Sequence, residues 1–156
     1  MIEIDIPGFR LLRLAHLVLD YNGTLAVNGD LIDGVKSRLS ELAGSMSLHV
    51  VTADTFGKAA PALAEIDCHL VILPPENQAV AKADYVRRLG ELATVAIGNG
   101  RNDRLMLEQA VLGIAVLGEE GTATAALMAA DMVVRDVFSA LELLRHPRRL
   151  VATLRS

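Results

Sequence analysis

Short apolar runs alternate with amphipathic stretches along almost the whole chain. Ile2, Ile4 and Ile6 alternate with acidic residues and stop at Pro7-Gly8, which predicts a short strand and a turn. Leu14 to Leu19 predicts a strand that runs into Asp20. Asn28-Gly29, set between apolar pairs, predicts a hairpin, because both turn residues must take positive φ. Asp33 is the expected N-cap of a helix carrying Val35, Leu39 and Leu42 and ended by Gly44. Leu48–Val51 predicts a strand ending at Thr52, followed by a short helix over 55–66 that Pro61 limits. Strands are expected at 70–73, 94–97, 113–117 and 132–134. Helices are expected at 76–89, 103–110, 122–129 and 137–144, with a further turn or two after Pro147. This alternation predicts a single α/β domain: a mostly parallel, Rossmann-like sheet with helices on both faces, a three-layer sandwich.

Composition narrows the class. Of the 156 residues, 52% are hydrophobic and only 3% aromatic, so the core must be built from Leu, Val, Ile and Ala, as in covered parallel sheets. Mean hydropathy is +0.38. No apolar run approaches the roughly 18 residues of a membrane span. The apolar excess therefore reads as deep burial or as a subunit interface, which leaves a homo-oligomer open. A net charge of −4 gives no overall attraction to nucleic acid. The lone Cys68 excludes an internal disulfide and a multi-cysteine metal site, in keeping with the cytoplasm.

The candidate chemistry lies at the strand ends. Asp20 closes one strand and is followed by Tyr21-Asn22-Gly23-Thr24. Thr52 closes a second, and Asn99 to Asp103 closes a third. In an open α/β sheet, ligands bind beyond the carboxyl ends of the strands. If these strands are neighbours, a carboxylate, a hydroxyl and metal-directed groups converge, and Lys82 can reach them from the helix before the third strand. Such a set suits phosphoryl transfer through an acyl phosphate on an aspartate.

Four segments in order, VLDYNGTL at 18–25, VVTADT at 50–55, Lys82 and AIGNGRNDRLML at 96–107, resemble the motifs of the haloacid dehalogenase (HAD) superfamily of phosphohydrolases. The chain looks closest to soluble proteins similar to the phosphorylation domain of P-type ATPases, a likeness that continues over 113–134. The resemblance implies Asp20 as nucleophile and Lys82 as its catalytic partner. It implies phosphoryl contacts from Thr52, Ala53, Asn22 and Gly23. It implies Mg²⁺ held by Asp20, the Asn22 backbone carbonyl, Asn99 and Asp103.

Two positions depart from that pattern. Asn22 stands where phosphatases of the family have an acid–base Asp, and an amide neither protonates a leaving group nor activates water. Asn99 replaces a metal-binding Asp, which removes a second negative charge. A slow Mg²⁺-dependent phosphatase is therefore expected, acting on a small phosphorylated substrate or a phosphoprotein. A phosphate-binding or regulatory domain with little turnover is the alternative. The gaps between Asp20, Thr52 and Lys82 leave no room for a cap domain, only for the hairpin as a flap.

Elsewhere simpler roles are expected. His16 reads as a packed neutral histidine, Asp54 and Thr55 as helix-capping residues, and Leu105, Met106 and Leu107 as core. Glu119-Glu120-Gly121 reads as an exposed turn, and Arg145–Arg149 as the solvated end of the last long helix. Arg101 fits a substrate anion or solvent equally.

Overall fold

The computed structural model describes residues 1–156. At its centre is a six-stranded sheet in the spatial order β10-β9-β8-β3-β6-β7, with every pairing parallel. The strands are β3 (His16–Leu19), β6 (Ser47–Thr52), β7 (His69–Ile72), β8 (Thr94–Gly98), β9 (Leu112–Val116) and β10 (Met132–Val134). The four central strands β9, β8, β3 and β6 are almost wholly buried on both faces, which is why they read as mostly apolar runs, whereas the edge strands β7 and β10 are partly exposed.

Two antiparallel ribbons accompany the sheet. β1 (Ile2–Ile6) pairs with β2 (Arg10–Leu14), and β4 (Ala26–Val27) with β5 (Asp30–Leu31). The second is the expected flap: Asn28 and Gly29 hold φ of 52° and 81°, as its turn requires. The first corrects the expectation of one strand over 14–19. Ala15 separates two strands there; its N–H donates to the Ala93 carbonyl and its carbonyl accepts from Ser47, so the chain leaves the ribbon and enters the parallel sheet.

Helices α1 (Val35–Ala43), α2 (Ala59–Leu63), α6 (Val137–Arg145) and α7 (Arg148–Leu154) pack with the β1–β2 ribbon on one face. Helices α3 (Gln78–Leu89), α4 (Arg104–Gln109) and α5 (Thr124–Ala129) cover the other. Alternation along a strand feeds both layers: Leu17 and Leu19 point into the first core, Val18 into the second. No helix is long and apolar enough to cross a membrane.

Two helix starts differ from expectation. Asp33 does not cap α1; Gly34 does, in the left-handed region at φ 88° and without a side-chain bond. The helix expected over 55–66 shrinks to α2. Residues 53–58 instead form a loop braced by Asp54, whose Oδ1 accepts from the backbone N–H of Lys58 and Ala59, both at 3.0 Å. The capping role expected of Asp54 is thus present, one turn before the helix.

Candidate active site

β3 lies between β6 and β8, so the chain order reverses across it and a crevice opens at the carboxyl ends of these three strands. Asp20 leaves β3, Thr52 ends β6, and Asn99 follows β8. Neighbouring strands lie about 4.8 Å apart, which puts the three loops within reach of one small ligand.

Lys82 arrives from α3. Its Nζ donates to Asp20 Oδ1 at 2.6 Å and to Asp103 Oδ1 at 2.7 Å. Lys82 and Asp103 are fully buried and Asp20 is 5% exposed. Burial, and then the negative charge of Asp103, lift the Asp20 carboxyl to about 7 against the opposing pull of Lys82. Burial disfavours the Lys82 ammonium, but the two carboxylates outweigh it and hold the group above its ordinary value. Lys82 is therefore a fixed cation, and Asp20 is a carboxylate raised in basicity by a dry, negatively charged neighbourhood.

Asp103 has no free oxygen. Its Oδ2 accepts from the backbone N–H of Asn99 at 3.0 Å and of Gly100 at 2.8 Å, while Oδ1 accepts from Lys82. In this structure the side chain named above as metal-directed also braces Lys82 and the 98–100 turn. Gly98 is required beneath it, since a Cβ there would sit 2.6 Å from the Asp103 carboxylate.

Asn99 turns its Nδ2 to the Gly121 carbonyl at 2.9 Å, which leaves Oδ1 facing the Thr24 hydroxyl at 3.2 Å. Thr24 Oγ1 also lies 3.5 Å from Asp20 Oδ2. Gly23 adopts φ 80°, and a Cβ on it would collide with the Asn99 amide. Thr52 Oγ1 accepts from the Asp54 N–H at 2.9 Å, so its own proton is free to donate toward the crevice. Ala53 is half-buried between these two residues. Asn22 makes no hydrogen bond, and its side-chain oxygen is buried without a partner.

These oxygens suit a hard cation. The Asn22 oxygens are uncommitted, and Asp20 Oδ2 and Asn99 Oδ1 meet only the Thr24 hydroxyl; oxygen ligands are what Mg²⁺ takes. No group of three or more His, Cys, Asp or Glu side chains surrounds a common point. A cation here would rest on one carboxylate and neutral oxygens.

Several contributors lie outside the expected set. The buried Tyr21 donates from its hydroxyl to the Gly29 carbonyl at 3.0 Å, which pins the flap. Lys58 and Asp30 pair at 2.9 Å across the same junction. Gln78, one turn before Lys82, accepts from Asn102 at 2.7 Å and ties α3 to the 3-10 turn Arg101–Asp103. The i, i+4 spacing of Gln78 and Lys82 was the available signal. Arg101 is exposed and lines a cavity of about 460 Å³ with Arg104, Asn102 and Gln78.

No family model matches the chain. An uncharacterized protein of Methanocaldococcus jannaschii is 49% identical over 61 residues, covering 39% of this chain and 66% of that protein. Phospholipid-transporting ATPase tat-1 of Caenorhabditis elegans is 36% identical over 93 residues, covering 58% of this chain and 7% of the ATPase. The chain therefore spans just under two thirds of the first relative and a small part of the second. Among solved structures, the cobalt-bound octulosonate 8-phosphate phosphatase of Haemophilus influenzae superposes with a TM-score of 0.71 at 12% identity, over 92% of this chain and 94% of that one. The corresponding Moraxella catarrhalis phosphatase, in complex with magnesium, phosphate and KDO, gives 0.64 at 16% identity over 91% and 94%. A Streptomyces avermitilis protein assigned to the HAD family hydrolases gives 0.62 at 14% identity over 78% and 75%. The chain has the fold of HAD superfamily hydrolases, in its capless form.

Proposed function

We propose that the chain is a slow, Mg²⁺-dependent phosphohydrolase working through an acyl phosphate on Asp20. The observation that carries this reading is the buried Asp20–Lys82–Asp103 set at the end of β3, flanked by Thr52 and Asn99. The metal and phosphate in the Moraxella structure support the same reading.

Mg²⁺, held by Asp20, the Asn22 carbonyl and Asn99, would supply positive charge to the phosphoryl oxygens. The chain's own residues do the rest. Asp20 presents one carboxylate oxygen to phosphorus and the other to the cation. Lys82 and the Thr52 hydroxyl donate to the phosphoryl oxygens, helped by the backbone N–H groups of Asn22 and Ala53, whereas the Gly23 N–H is held by the Ala26 carbonyl. Asp103 keeps Lys82 in place throughout. Asn22 offers an amide where a proton donor and base is needed, so both departure of the leaving group and discharge of the acyl phosphate go without the roughly 10²–10⁴-fold of acid–base help.

The test is phosphate release from p-nitrophenyl phosphate with Mg²⁺, alongside acid-stable labelling of the protein, for wild type and Asp20→Asn. Release and labelling that both vanish in the variant are expected. Equal activity in both proteins would remove Asp20 from the mechanism.

A second reading, a phosphate-binding or regulatory domain, is favoured by the amides at Asn22 and Asn99. It requires phosphate binding without measurable release. The substrate as a small phosphate ester or a phosphoprotein, self-assembly through apolar surface, and a place in the cytoplasm belong to the proposal as well.

A further inference from the structure

The two edges of the central sheet are not alike. β10 is flanked in sequence by Asp131 and Arg135, charges of the kind that discourage an edge from pairing with other chains. β7 forms the opposite edge and pairs only with β6. From Cys68 to Pro75 the chain carries no Asp, Glu, Lys or Arg, and β7 itself contains no proline. Ile72 is 53% exposed, and Leu70, Val71 and Leu73 are half-buried. The Leu73 N–H donates to the Thr52 carbonyl at 2.8 Å, which sets the alternation along the strand. His69 and Val71 turn their backbone groups to β6, and Leu70 and Ile72 turn theirs outward. No loop, helix or side chain supplies those outward groups with a partner.

Two observations name what fits this edge. A peptide added to a sheet edge is selected through pockets that take its alternate side chains. No cavity of this chain is lined by a residue between 67 and 73, so the edge is flat. The edge is instead complementary to itself. With a two-fold axis through Val71 and normal to the sheet, Leu70 of one copy faces the partner's Ile72, and Ile72 faces the partner's Leu70. In that register every outward N–H and C=O of both strands gains a hydrogen-bond partner. The uncharged stretch sets no like charges opposite one another, and Leu70 and Ile72 meet as an apolar cross-strand pair.

We infer that β7 is the surface through which two copies of this chain associate, antiparallel and with Val71 on the two-fold axis, so that the central sheet runs on unbroken from one copy into the other. This rests on the self-assembly named above, to which it gives a surface and a register, and it is independent of the chemistry at Asp20. Because the paired strands run in opposite directions, the crevices at the carboxyl ends of the two sheets open on opposite sides of the dimer, and neither copy covers the other's. An edge of about eight residues a side is roughly a third of a standard interface, which sets the dissociation constant in the micromolar range.

The experiment is sedimentation equilibrium of the full chain over about 1–200 μM, a range that brackets such a constant. The mass is expected to climb from 16.7 kDa toward twice that value. Ile72→Pro removes one outward N–H and leaves the ladder to β6 intact, as proline on an edge strand allows. It is expected to weaken association at least about tenfold with an unchanged far-ultraviolet circular dichroism spectrum. Ile72→Lys, which sets a charge against the partner's Leu70, serves in its place if the proline variant does not fold. The register is read by cross-linking in a Cys68→Ser background. Val71→Cys puts two thiols on a facing pair with Cα atoms about 4.5 Å apart, within disulfide reach, and is expected to form a covalent dimer on mild oxidation. Ile72→Cys, about 8 Å from its copy in this register, is not. A mass that stays at 16.7 kDa throughout would overturn self-assembly and the interface together. A dimer that persists in folded Ile72 variants would retain self-assembly and overturn β7 as its surface. Loss of the dimer in those variants without cross-linking at residue 71 would overturn the register.

Discussion

Acid should weaken this fold through one histidine remote from the active site. His49, in β6, is 4% exposed. Its Nε2 lies 3.2 Å from His16 Nδ1 on β3, and its Nδ1 lies 2.9 Å from the Tyr85 hydroxyl on α3. His69 on β7 stacks on it at 4.9 Å, and Arg88 lies over the Tyr85 ring. Either neutral tautomer satisfies every group: Tyr85 donates to Nδ1 while the His49 Nε2–H donates to His16, or His16 donates to Nε2 while the His49 Nδ1–H donates to Tyr85. Burial, and then the neighbouring His69 and His16, push its pKa down to about 4. The unfolded chain takes up this proton near 6.5. Between the two values the unfolded state binds more protons, so the stability present above pH 6.5 drains away as pH falls and is gone by about pH 4. The shift would convert to roughly 3 kcal/mol for a fully sequestered ring; partial access of water brings the expectation to about 2 kcal/mol. Urea unfolding of wild type and His49→Phe at several pH values between 7.5 and 4.5 isolates this contribution, because every other titrating group is common to both. The variant starts less stable, having lost two hydrogen bonds, and the gap should close by about 2 kcal/mol across that range. A gap that stays constant or widens with acid would refute the reasoning.

Two further outcomes follow from the geometry. Asp103→Asn cannot accept from Lys82 on one side and from two backbone N–H groups on the other, since its amide must turn donors toward donors. A loss of about 2–4 kcal/mol in chemical denaturation is expected, and an unchanged midpoint would contradict the bracing role. Gly113→Ala would drive a methyl into the Leu107 carbonyl of α4. A cost of about 1–3 kcal/mol, seen as a melting point lowered by several degrees, is expected, and no change would show that α4 yields freely.

Much of this architecture is legible in the chain because parallel strands buried on both faces leave unmistakable apolar runs. Leu48–Val51 and Thr94–Ile97 are examples, and Asn28-Gly29 specified its own turn. The ribbon β1–β2 was harder: Arg10-Leu11-Leu12-Arg13-Leu14 runs on into β3 without a breaker, and Ala15 carries no sign that its partner changes. The helix expected at 55–66 failed because Gly57 and the left-handed Asp54 favour a loop that hydrogen-bonds locally. At the site, the types and order of Asp20, Thr52, Lys82 and Asn99 were readable. The allocation of Asp103 to bracing was not, because it depends on two backbone N–H groups whose directions only the folded turn defines. Gln78, Tyr21 and the Gly121 carbonyl escaped for the same reason: each acts through a contact distant in sequence.

The central place of β3 also sets a timetable for synthesis. His16 pairs alongside Ser47 on one side and Thr94 on the other, so the strand made early waits for a partner nearly 80 residues later in the chain. While a nascent chain lacks β8, one edge of the β3–β6 pair is unpaired, and open edges invite association with other chains. The Asp20 loop emerges first, but Asp103 can pair with Lys82 only once the chain beyond β8 is made, so the Asp20–Lys82–Asp103 set is completed late in synthesis. A chain stalled before residue 94 would carry Asp20, Thr52 and Lys82 but neither Asn99 nor Asp103.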